Sequence, residues 1–216
     1  MMIQEPCNEI LCAMKLYSNV FAPSPRRVRM FAAEKGVTLE IVNLDIAKSE
    51  TQGAAFLALN PMGDVPVLVL DDGTTLTESL AINRYLEALV PLPPLLGTTP
   101  LEQARINECV DHLMFRLYVP TTHAFRHTHA FWNGRVTQVP AYGDVAREAV
   151  RAQFAWLEAR LADGREFLIG AGFTLADIVA YTSVDFAKIV GLRADATYPS
   201  LQAYQARIAA RPSAKA

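Results

Sequence analysis

The sequence predicts an α/β domain followed by an all-α helical domain, and three observations support this architecture. Strand-like and helix-like patterns alternate over roughly the first ninety residues. The proline-rich segment PLPP at residues 91–94 then interrupts the pattern, as expected of a linker. Beyond it, apolar residues recur every three to four positions. A chain of 216 residues is long enough for two such domains, which we place at residues 14–90 and 101–216, joined by a linker at 91–100.

The first domain is predicted to contain a small mixed sheet with helices on its faces, because strands and helices follow one another in the order of crossover units. The turn signal Asp71-Asp72-Gly73 joins the last two strands as a hairpin. The predicted elements are a strand at 14–18, a helix at 25–35, a strand at 39–43, a weaker helical piece at 49–59, strands at 67–70 and 75–77, and a helix at 78–89.

The first long helix has a distinctive start. Ser24 is expected to be its N-cap, Pro25 suits its first position, and Gly36 suits the left-handed conformation just beyond its end. A helix N-terminus with a nearby hydroxyl favours an anion, so Ser24 is a candidate binding residue. The basic residues of this helix are expected to form a solvated face, with a contribution to binding an anionic ligand as the minority interpretation: Arg26, Arg27 and Arg29.

The second domain is predicted to consist of helices at 101–118, 144–161, 175–190 and 201–210, from their apolar spacing. Thr174 and Asp177 form a capping-box pattern at the start of the third helix, and we interpret them as structural. Pro120 and Gly134 indicate irregular chain between the first two helices.

Composition excludes several functional classes. The net charge of −2 argues against a nucleic-acid or membrane-surface role, and no apolar run is long enough to span a bilayer. Residues 1–13 carry acids without a basic start, so we expect a flexible extension rather than a signal peptide. The three cysteines, Cys7, Cys12 and Cys109, have no metal-ligand spacing, which favours a reduced cytoplasmic setting.

Two further segments offer chemistry. At Val65-Pro66 a proline opens a strand that belongs in the sheet, and a cis peptide bond is one explanation. Thr77-Glu78-Ser79 opens the following helix with hydroxyls, a carboxylate and backbone N–H groups, which suit a ligand that carries a carboxylate. Each segment alone is equally consistent with ordinary strand and helix ends.

Together these segments give a resemblance that is specific. NPMGDVP (60–66) and ESLAINRYL (78–86) resemble the motifs of the glutathione transferase superfamily, and TLAD (174–177) resembles the capping motif of its second domain. The similarity extends over nearly the whole chain from Met14, in the family's order and spacing. It implies an α/β thioredoxin-like N-terminal domain plus an all-α C-terminal helical domain.

The resemblance also implies roles for individual residues. Val65 would offer its backbone to the cysteinyl part of glutathione, held by a cis bond to Pro66. Glu78 and Ser79 would bind the γ-glutamyl end, with the Ser79 N–H and hydroxyl on its carboxylate. Ser24 would face the sulfur as the catalytic residue.

The chain departs from the family pattern at two places. Ala22 stands where many serine-type members carry the catalytic hydroxyl, and Ser24 lies two residues later, with Asn19 as a nearby alternative. Asp64 stands where a basic or amide residue usually precedes the Val-Pro pair, so Lys48 is the candidate for the contact with the glycyl carboxylate.

Aromatic side chains are expected to line the electrophile site, and the candidates are Phe21, Tyr118 and Phe125. Three histidines lie close together in sequence: His123, His127 and His129. No carboxylate or cysteine completes a ligand set with them, so we expect no metal.

We therefore predict a cytoplasmic, homodimeric glutathione S-transferase with a role in detoxification. Glutathione is the co-substrate, the partner is a small hydrophobic electrophile, and neither nucleic acid nor membrane is involved. Two alternatives remain at this point. One is a glutathione-dependent peroxidase or disulfide reductase, and the other is a non-enzymatic binding protein with the same fold.

Overall fold

The computed structural model describes residues 14–216, so the extension predicted for residues 1–13 lies outside it. The chain divides into two compact units, the first ending at Pro93 and the second running from Pro94 to Lys215, with Ala216 belonging to the first. The division falls within the segment 91–100. Across residues 14–216, no helix is both long and apolar enough to cross a bilayer.

The first unit has the predicted alternation of strands and helices. Its elements, in chain order, are β1 (Lys15–Ser18), α1 (Pro23–Glu34), β2 (Glu40–Asn43), a 3-10 turn (Glu50–Gln52), α2 (Ala54–Leu57), β3 (Val67–Val69), β4 (Thr75–Thr77) and α3 (Ser79–Leu89).

The four strands form one mixed sheet in the order β2-β1-β3-β4. β2 runs parallel to β1, whereas β3 is antiparallel to both β1 and β4. Tyr17 lies opposite Val67, which in turn lies opposite Thr77. The carboxyl ends of β1 and β4 therefore meet the amino end of β3 at the same end of the sheet.

The core of the first unit is formed by β1, β3, α1 and α3. Helix α1 packs against α3 and also contacts β1. Fully burying one such aliphatic or aromatic side chain contributes about 1.5–3 kcal/mol, so these side chains fix the helices on the sheet. The fully buried members are Leu16, Val28, Met30, Phe31, Val67, Leu68, Ile82 and Leu86.

Helix α1 ends as predicted but begins two residues earlier. Gly36 has φ of +67°, and the N–H of Val37 donates to the Ala32 carbonyl at 2.8 Å, as in a Schellman motif. At the start, Ala22 is the N-cap and Pro23 takes the first position, so the assignment of Ser24 as N-cap was wrong. Proline at the first position needs no N–H partner, and a second proline is tolerated within the same turn.

The second unit is helical throughout. Its elements are α4 (Pro100–Leu113), a π-helical turn (Met114–Tyr118), α5 (Val119–Thr128), a 3-10 turn (Ala130–Trp132), α6 (Pro140–Leu161), α7 (Leu175–Phe186), a 3-10 turn (Ala187–Val190), α8 (Pro199–Ala209) and a last 3-10 turn (Pro212–Lys215). The predicted fold class, an α/β domain plus an all-helical domain, is confirmed.

The region that we predicted to be irregular from Pro120 is the helix α5, so that prediction was wrong for residues 119–128. The π turn just before it explains the difference. The Val119 N–H bonds to the Met114 carbonyl, five residues back. This wider turn displaces the carbonyl that an α-helix would aim at the Pro120 ring, and the helix continues.

The capping box at α7 is present as predicted and has a wider role. Asp177 is fully buried, and its carboxylate accepts hydrogen bonds from the N–H groups of Thr174 and Leu168, each at 2.9 Å. The Tyr204 hydroxyl donates to it at 2.8 Å. Burial raises the pKa of Asp177, although these hydrogen bonds act to lower it. Burial also raises the pKa of Tyr204. The carboxylate thereby ties α7 to α8 and to the preceding loop.

Candidate functional site

Three of the predicted segments meet at one end of the sheet. The loop from Asn19 to Ala22 follows β1, the Val65-Pro66 pair precedes β3, and Glu78-Ser79 follows β4. The strand register places these three chain ends side by side, because Tyr17, Val67 and Thr77 form one row across the sheet. The first unit thus brings Ser24, Val65 and Ser79 to the same edge.

Asn19 shapes the loop that leads into α1. Its side-chain oxygen accepts hydrogen bonds from the N–H groups of Phe21 at 2.9 Å and Ala22 at 3.1 Å. Its amide nitrogen donates to the Leu44 carbonyl at 2.9 Å. Both ends of the amide are therefore used to hold the loop, which makes Asn19 a positioning residue.

Ser24 is the second residue of α1 and is half-buried. It lies between Pro23 and Pro25, so it is the only one of the first three helical residues with a backbone N–H. The Arg26 N–H already points back to the Ala22 carbonyl at 3.4 Å. This helix start consequently offers fewer N–H groups to an anion than an ordinary one, and the Ser24 hydroxyl gains importance.

The peptide bond between Val65 and Pro66 is cis, as the resemblance implied. The turn before it is held by Asn60, whose side chain donates to the Asp64 carbonyl at 2.8 Å and accepts from the Met62 N–H at 3.1 Å. Within residues 14–216, no other residue hydrogen-bonds to the backbone N–H or C=O of Val65. The Val65 backbone is thus available to an extended peptide ligand.

Gly63 lets this turn close against the preceding segment. It has φ of +67°, and a Cβ atom built on it would lie 2.4 Å from the Gln52 amide nitrogen and 3.1 Å from the Thr51 carbonyl. The Gln52 amide ends a flexible side chain and can move aside, so the positive φ and the Thr51 carbonyl are the firmer constraints. Glycine therefore suits this turn, which leads into the Val65-Pro66 pair.

Glu78 and Ser79 form the start of α3. Glu78 is exposed and has φ of +63° and ψ of 112°, a conformation that residues other than glycine rarely adopt. Such a conformation costs about 1–3 kcal/mol and is concentrated at functional sites. Ser79 is the first residue of the helix, where backbone N–H groups lack intrahelical partners. The Glu78 carboxylate can bind an ammonium group, and the N–H groups at the helix start can bind a carboxylate.

Arg27 lies behind Ser79 and is fully buried, so the prediction of a solvated face was wrong for this residue. Its Nη1 atom donates to the Ser79 Oγ atom at 3.1 Å. Arg29, two positions on, donates to the Ser18 hydroxyl and to the Ala216 carbonyl. Burial, and next the charge of Arg26, lower the pKa of Arg29.

Lys48 lies on an exposed turn of the first unit. Its Nζ atom is 3.4 Å from the Asp45 carboxylate, which also accepts hydrogen bonds from the N–H groups of Ala47 and Lys48. These hydrogen bonds lower the pKa of Asp45. The suggested contact of Lys48 with a glycyl carboxylate stays a prediction.

In the second unit, Tyr118 and Phe125 both pack against Phe186, with ring centroids 6.1 Å and 5.8 Å away. Phe131 and Trp132 pack on Phe125 at 6.0 Å and 5.7 Å. We call these five residues the aromatic cluster. Of the residues predicted for the electrophile site, two therefore lie together, while the third, Phe21, is 89% exposed in the first unit.

The three neighbouring histidines make local hydrogen bonds. His127 and His129 each accept a backbone N–H through Nδ1 at 3.1 Å. The Nδ1 atom of His123 lies 2.8 Å from the Tyr142 hydroxyl. Within the part of the chain that the structure describes, no group of three potential metal ligands is present.

Cys109 is the one cysteine among residues 14–216 and lies buried in the second unit. Burial raises its pKa from 9.0 to about 11. Because the thiolate is the reactive form, Cys109 is not suited to attack a substrate.

Comparison with known proteins decides the family. Residues 21–89 match the model of the glutathione S-transferase N-terminal domain, and residues 109–212 match that of the C-terminal domain. The chain belongs to the glutathione S-transferase family. It is 33% identical over 206 residues to "Glutathione S-transferase 2" of Saccharomyces cerevisiae, covering 94% of this chain and 88% of the relative.

Solved structures of glutathione S-transferases agree with this. A glutathione S-transferase domain-containing protein of Marinobacter aquaeolei VT8 superposes with a TM-score of 0.85 at 35% identity, over 92% of this chain and 98% of that one. A glutathione transferase homologue from Sulfitobacter, solved with bound glutathione, gives a TM-score of 0.80 at 25% identity, over 94% and 95% of the two chains. The predicted family is thereby confirmed.

Sequence reasoning missed the positioning roles of three residues in this chain, although it had named Asn19 as an alternative to Ser24 and Arg27 as part of a solvated face. Asn19 and Asn60 each hold a loop with both ends of the side-chain amide. Asparagine next to a predicted loop was a usable signal for both. Arg27 had no such signal, because an arginine in an amphipathic helix is normally exposed.

Proposed function

We propose that this chain binds glutathione at the sheet end of its first unit, stabilises the thiolate and transfers it to a small hydrophobic electrophile. Membership of the glutathione S-transferase family supports the class of reaction. The bound glutathione in the related Sulfitobacter structure supports the ligand. The individual site residues are those that the family resemblance implies, and the geometry of the first unit supports Val65, Glu78 and Ser79.

The observation that carries the proposal is the row of three chain ends described above. The Val65 N–H and C=O would pair with the cysteinyl residue of glutathione, as one strand pairs with another. Ser79 and the start of α3 would bind the γ-glutamyl carboxylate, and Glu78 its ammonium group. Lys48 would supply the contact with the glycyl carboxylate.

Ser24 is the proposed activator of the thiol. A free thiol has a pKa of about 8.5, so half-ionisation near pH 7 requires about 2 kcal/mol of stabilisation. A hydrogen bond to a charged group contributes about 1.5–3 kcal/mol, and a helix N-terminus about 0.3–1 kcal/mol. Because two prolines reduce the number of N–H groups at this helix start, the Ser24 hydroxyl would provide the larger share.

An ultraviolet titration of bound glutathione tests the proposal. Binding is first measured by calorimetry, and the thiolate absorbance is then followed against pH for the complex and for free glutathione. We expect a pKa near 7 in the complex. Failure to bind glutathione would remove the whole proposal, whereas binding with an unshifted pKa would remove the catalytic part alone.

The site for the second substrate is proposed to use Tyr118 and Phe125 of the second unit, and the third residue predicted for it, Phe21, belongs to the first unit. A panel of aryl halides, peroxides and mixed disulfides would show which class of electrophile reacts. The proposal also includes a homodimer, a cytoplasmic location and a role in detoxification. Sedimentation analysis and cell fractionation test the first two, and sensitivity of a deletion strain to the reactive electrophiles tests the third.

The same panel tests the competing activities. A peroxidase or disulfide reductase would consume peroxides or mixed disulfides faster than aryl halides, using glutathione as the reductant. A binding protein would hold glutathione and react with none of them. The buried position and raised pKa of Cys109 argue against this residue as the site of a mixed disulfide.

A further inference from the structure

The contact between Arg27 and Ser79 has no counterpart in the roles assigned so far. Arg27 is fully buried on α1, and its Nη1 atom donates to the Ser79 Oγ atom of α3 at 3.1 Å. Arginine is almost never fully buried in proteins unless it is paired. A buried guanidinium directly behind a proposed ligand-binding hydroxyl therefore calls for an explanation.

Hydrogen-bond chemistry gives this contact a direction. A guanidinium carries five donors and no acceptor, so it can only donate to Ser79. The Ser79 oxygen is then the acceptor in this contact, and its own O–H must point elsewhere. A hydroxyl held in this way is oriented as a donor, which is the role that a carboxylate ligand requires.

Electrostatics acts in the same direction. The guanidinium of Arg27 carries a positive charge, and a charge inside the protein is screened by salt much less than an exposed one. The start of α3 adds the partial positive charge of a helix N-terminus. Both favour a ligand group that carries a full negative charge over a neutral group of the same shape.

We propose that Arg27 is a positioning residue that orients the Ser79 hydroxyl and makes this subsite selective for a carboxylate over an amide. The inference rests on the proposed binding of the γ-glutamyl group at Ser79. It assigns the selectivity to a residue that does not touch the ligand. A purely structural link between α1 and α3 is the competing explanation, and it predicts no selectivity.

The test compares two ligands on the same protein. One is glutathione, and the other is the analogue in which a primary amide replaces the glutamyl α-carboxylate. Calorimetry gives both Kd values for the wild type, Arg27→Met, Arg27→Lys, Ser79→Ala and the Arg27→Met/Ser79→Ala double variant. Arg84→Met, which removes the same charge from the exposed side of α3, is the matched control.

A hydrogen bond to a charged group contributes about 1.5–3 kcal/mol, and each 1.4 kcal/mol is tenfold in Kd. We therefore expect the wild type to prefer glutathione over the amide by roughly 10- to 100-fold. Arg27→Met should lower this preference about tenfold, and Arg27→Lys should lower it less. Arg84→Met should leave it unchanged. The double variant should lose less than the sum of the two single losses, because part of the effect of Arg27 is transmitted through the hydroxyl.

Several outcomes would overturn the inference. Equal weakening of both ligands in Arg27→Met would identify a structural link only. An unchanged preference in Ser79→Ala would overturn it even if Arg27→Met did not fold. Additive losses in the double variant would show that Arg27 acts independently of Ser79. A wild type that binds neither ligand would refute the proposed function itself. The wild-type measurement therefore separates failure of the proposed function from failure of the role given to Arg27.

Discussion

Replacing Glu78 by glycine should stabilise the protein while weakening its ligand binding. Glu78 has φ of +63° and ψ of 112°, and its side chain is exposed. Holding a residue other than glycine in such a conformation costs about 1–3 kcal/mol. Glycine removes this cost, but it also makes the unfolded chain more flexible, which subtracts about 0.4–1 kcal/mol. The two ranges give a net gain of about 0–2.6 kcal/mol, with about 1.3 kcal/mol at their midpoints.

Glu78→Ala is the matched control, since it removes the carboxylate and keeps the Cβ atom. The difference between the alanine and glycine variants measures the backbone term, and the difference between wild type and alanine measures the carboxylate. Urea denaturation gives the free energy of unfolding for all three proteins. For a chain of this length, each 1 kcal/mol corresponds to about 2–4 °C in Tm.

Ligand binding should change in the opposite sense. Both variants lack the carboxylate that is proposed to bind the glutamyl ammonium group, so both should bind glutathione about tenfold more weakly. Calorimetry measures this directly. A glycine variant no more stable than the alanine variant would contradict the argument from strain, and unchanged glutathione affinity would contradict the role given to Glu78.

Three further predictions follow from the geometry. Ser24→Ala should lower kcat roughly 10- to 100-fold while the Kd for glutathione stays within about twofold. The same kcat in the variant and the wild type would show that the Ser24 hydroxyl does not activate the thiol. Gly63→Ala should lower the free energy of unfolding by about 1–3 kcal/mol, as judged by urea denaturation, because alanine would be held at φ of +67° with its Cβ 3.1 Å from the Thr51 carbonyl oxygen; a loss below 0.5 kcal/mol, within the range of about ±0.5 kcal/mol that is usual for surface substitutions, would show that the turn adapts. With the other two cysteines replaced by serine, Cys109 should resist thiol reagents at pH 8 until the protein unfolds, and rapid labelling of the folded protein would contradict its burial. The free energy of unfolding should fall as the pH rises from 9.0 towards about 11, because the thiol loses its proton more easily in the unfolded chain.

Local rules recovered most of the fold. Gly36 ended α1 where a left-handed residue was expected, and the Asp71-Asp72-Gly73 turn joined β3 to β4 as predicted. These features depend on a few neighbouring residues, so the sequence reports them directly. The prediction of where α1 begins was wrong for a related reason. Ser24 and Pro25 suit a helix start as well as Ala22 and Pro23 do, and only the Asn19 side chain, which binds the Ala22 N–H, favours the earlier one.

Longer-range features were harder to predict. The helix at 119–128 was missed because Pro120 normally interrupts a helix, and the π turn that accommodates it has no simple sequence pattern. The buried Arg27 donates to Ser79, which lies 52 residues away in the sequence. Periodicity reports which face of a helix is apolar, and it does not report which polar residue is paired inside.

The π turn at Met114–Tyr118 also controls the direction in which the next helix faces. Each residue of an α-helix turns the chain by about 100°, so the additional residue in this turn rotates all of α5 about its own axis. In this setting the Phe125 ring contacts the Phe186 ring, with centroids 5.8 Å apart. A homologue one residue shorter at this point would present a different side of α5 to Phe186. The composition of the aromatic cluster therefore depends on chain length upstream of it, and not only on which aromatic residues the helix carries.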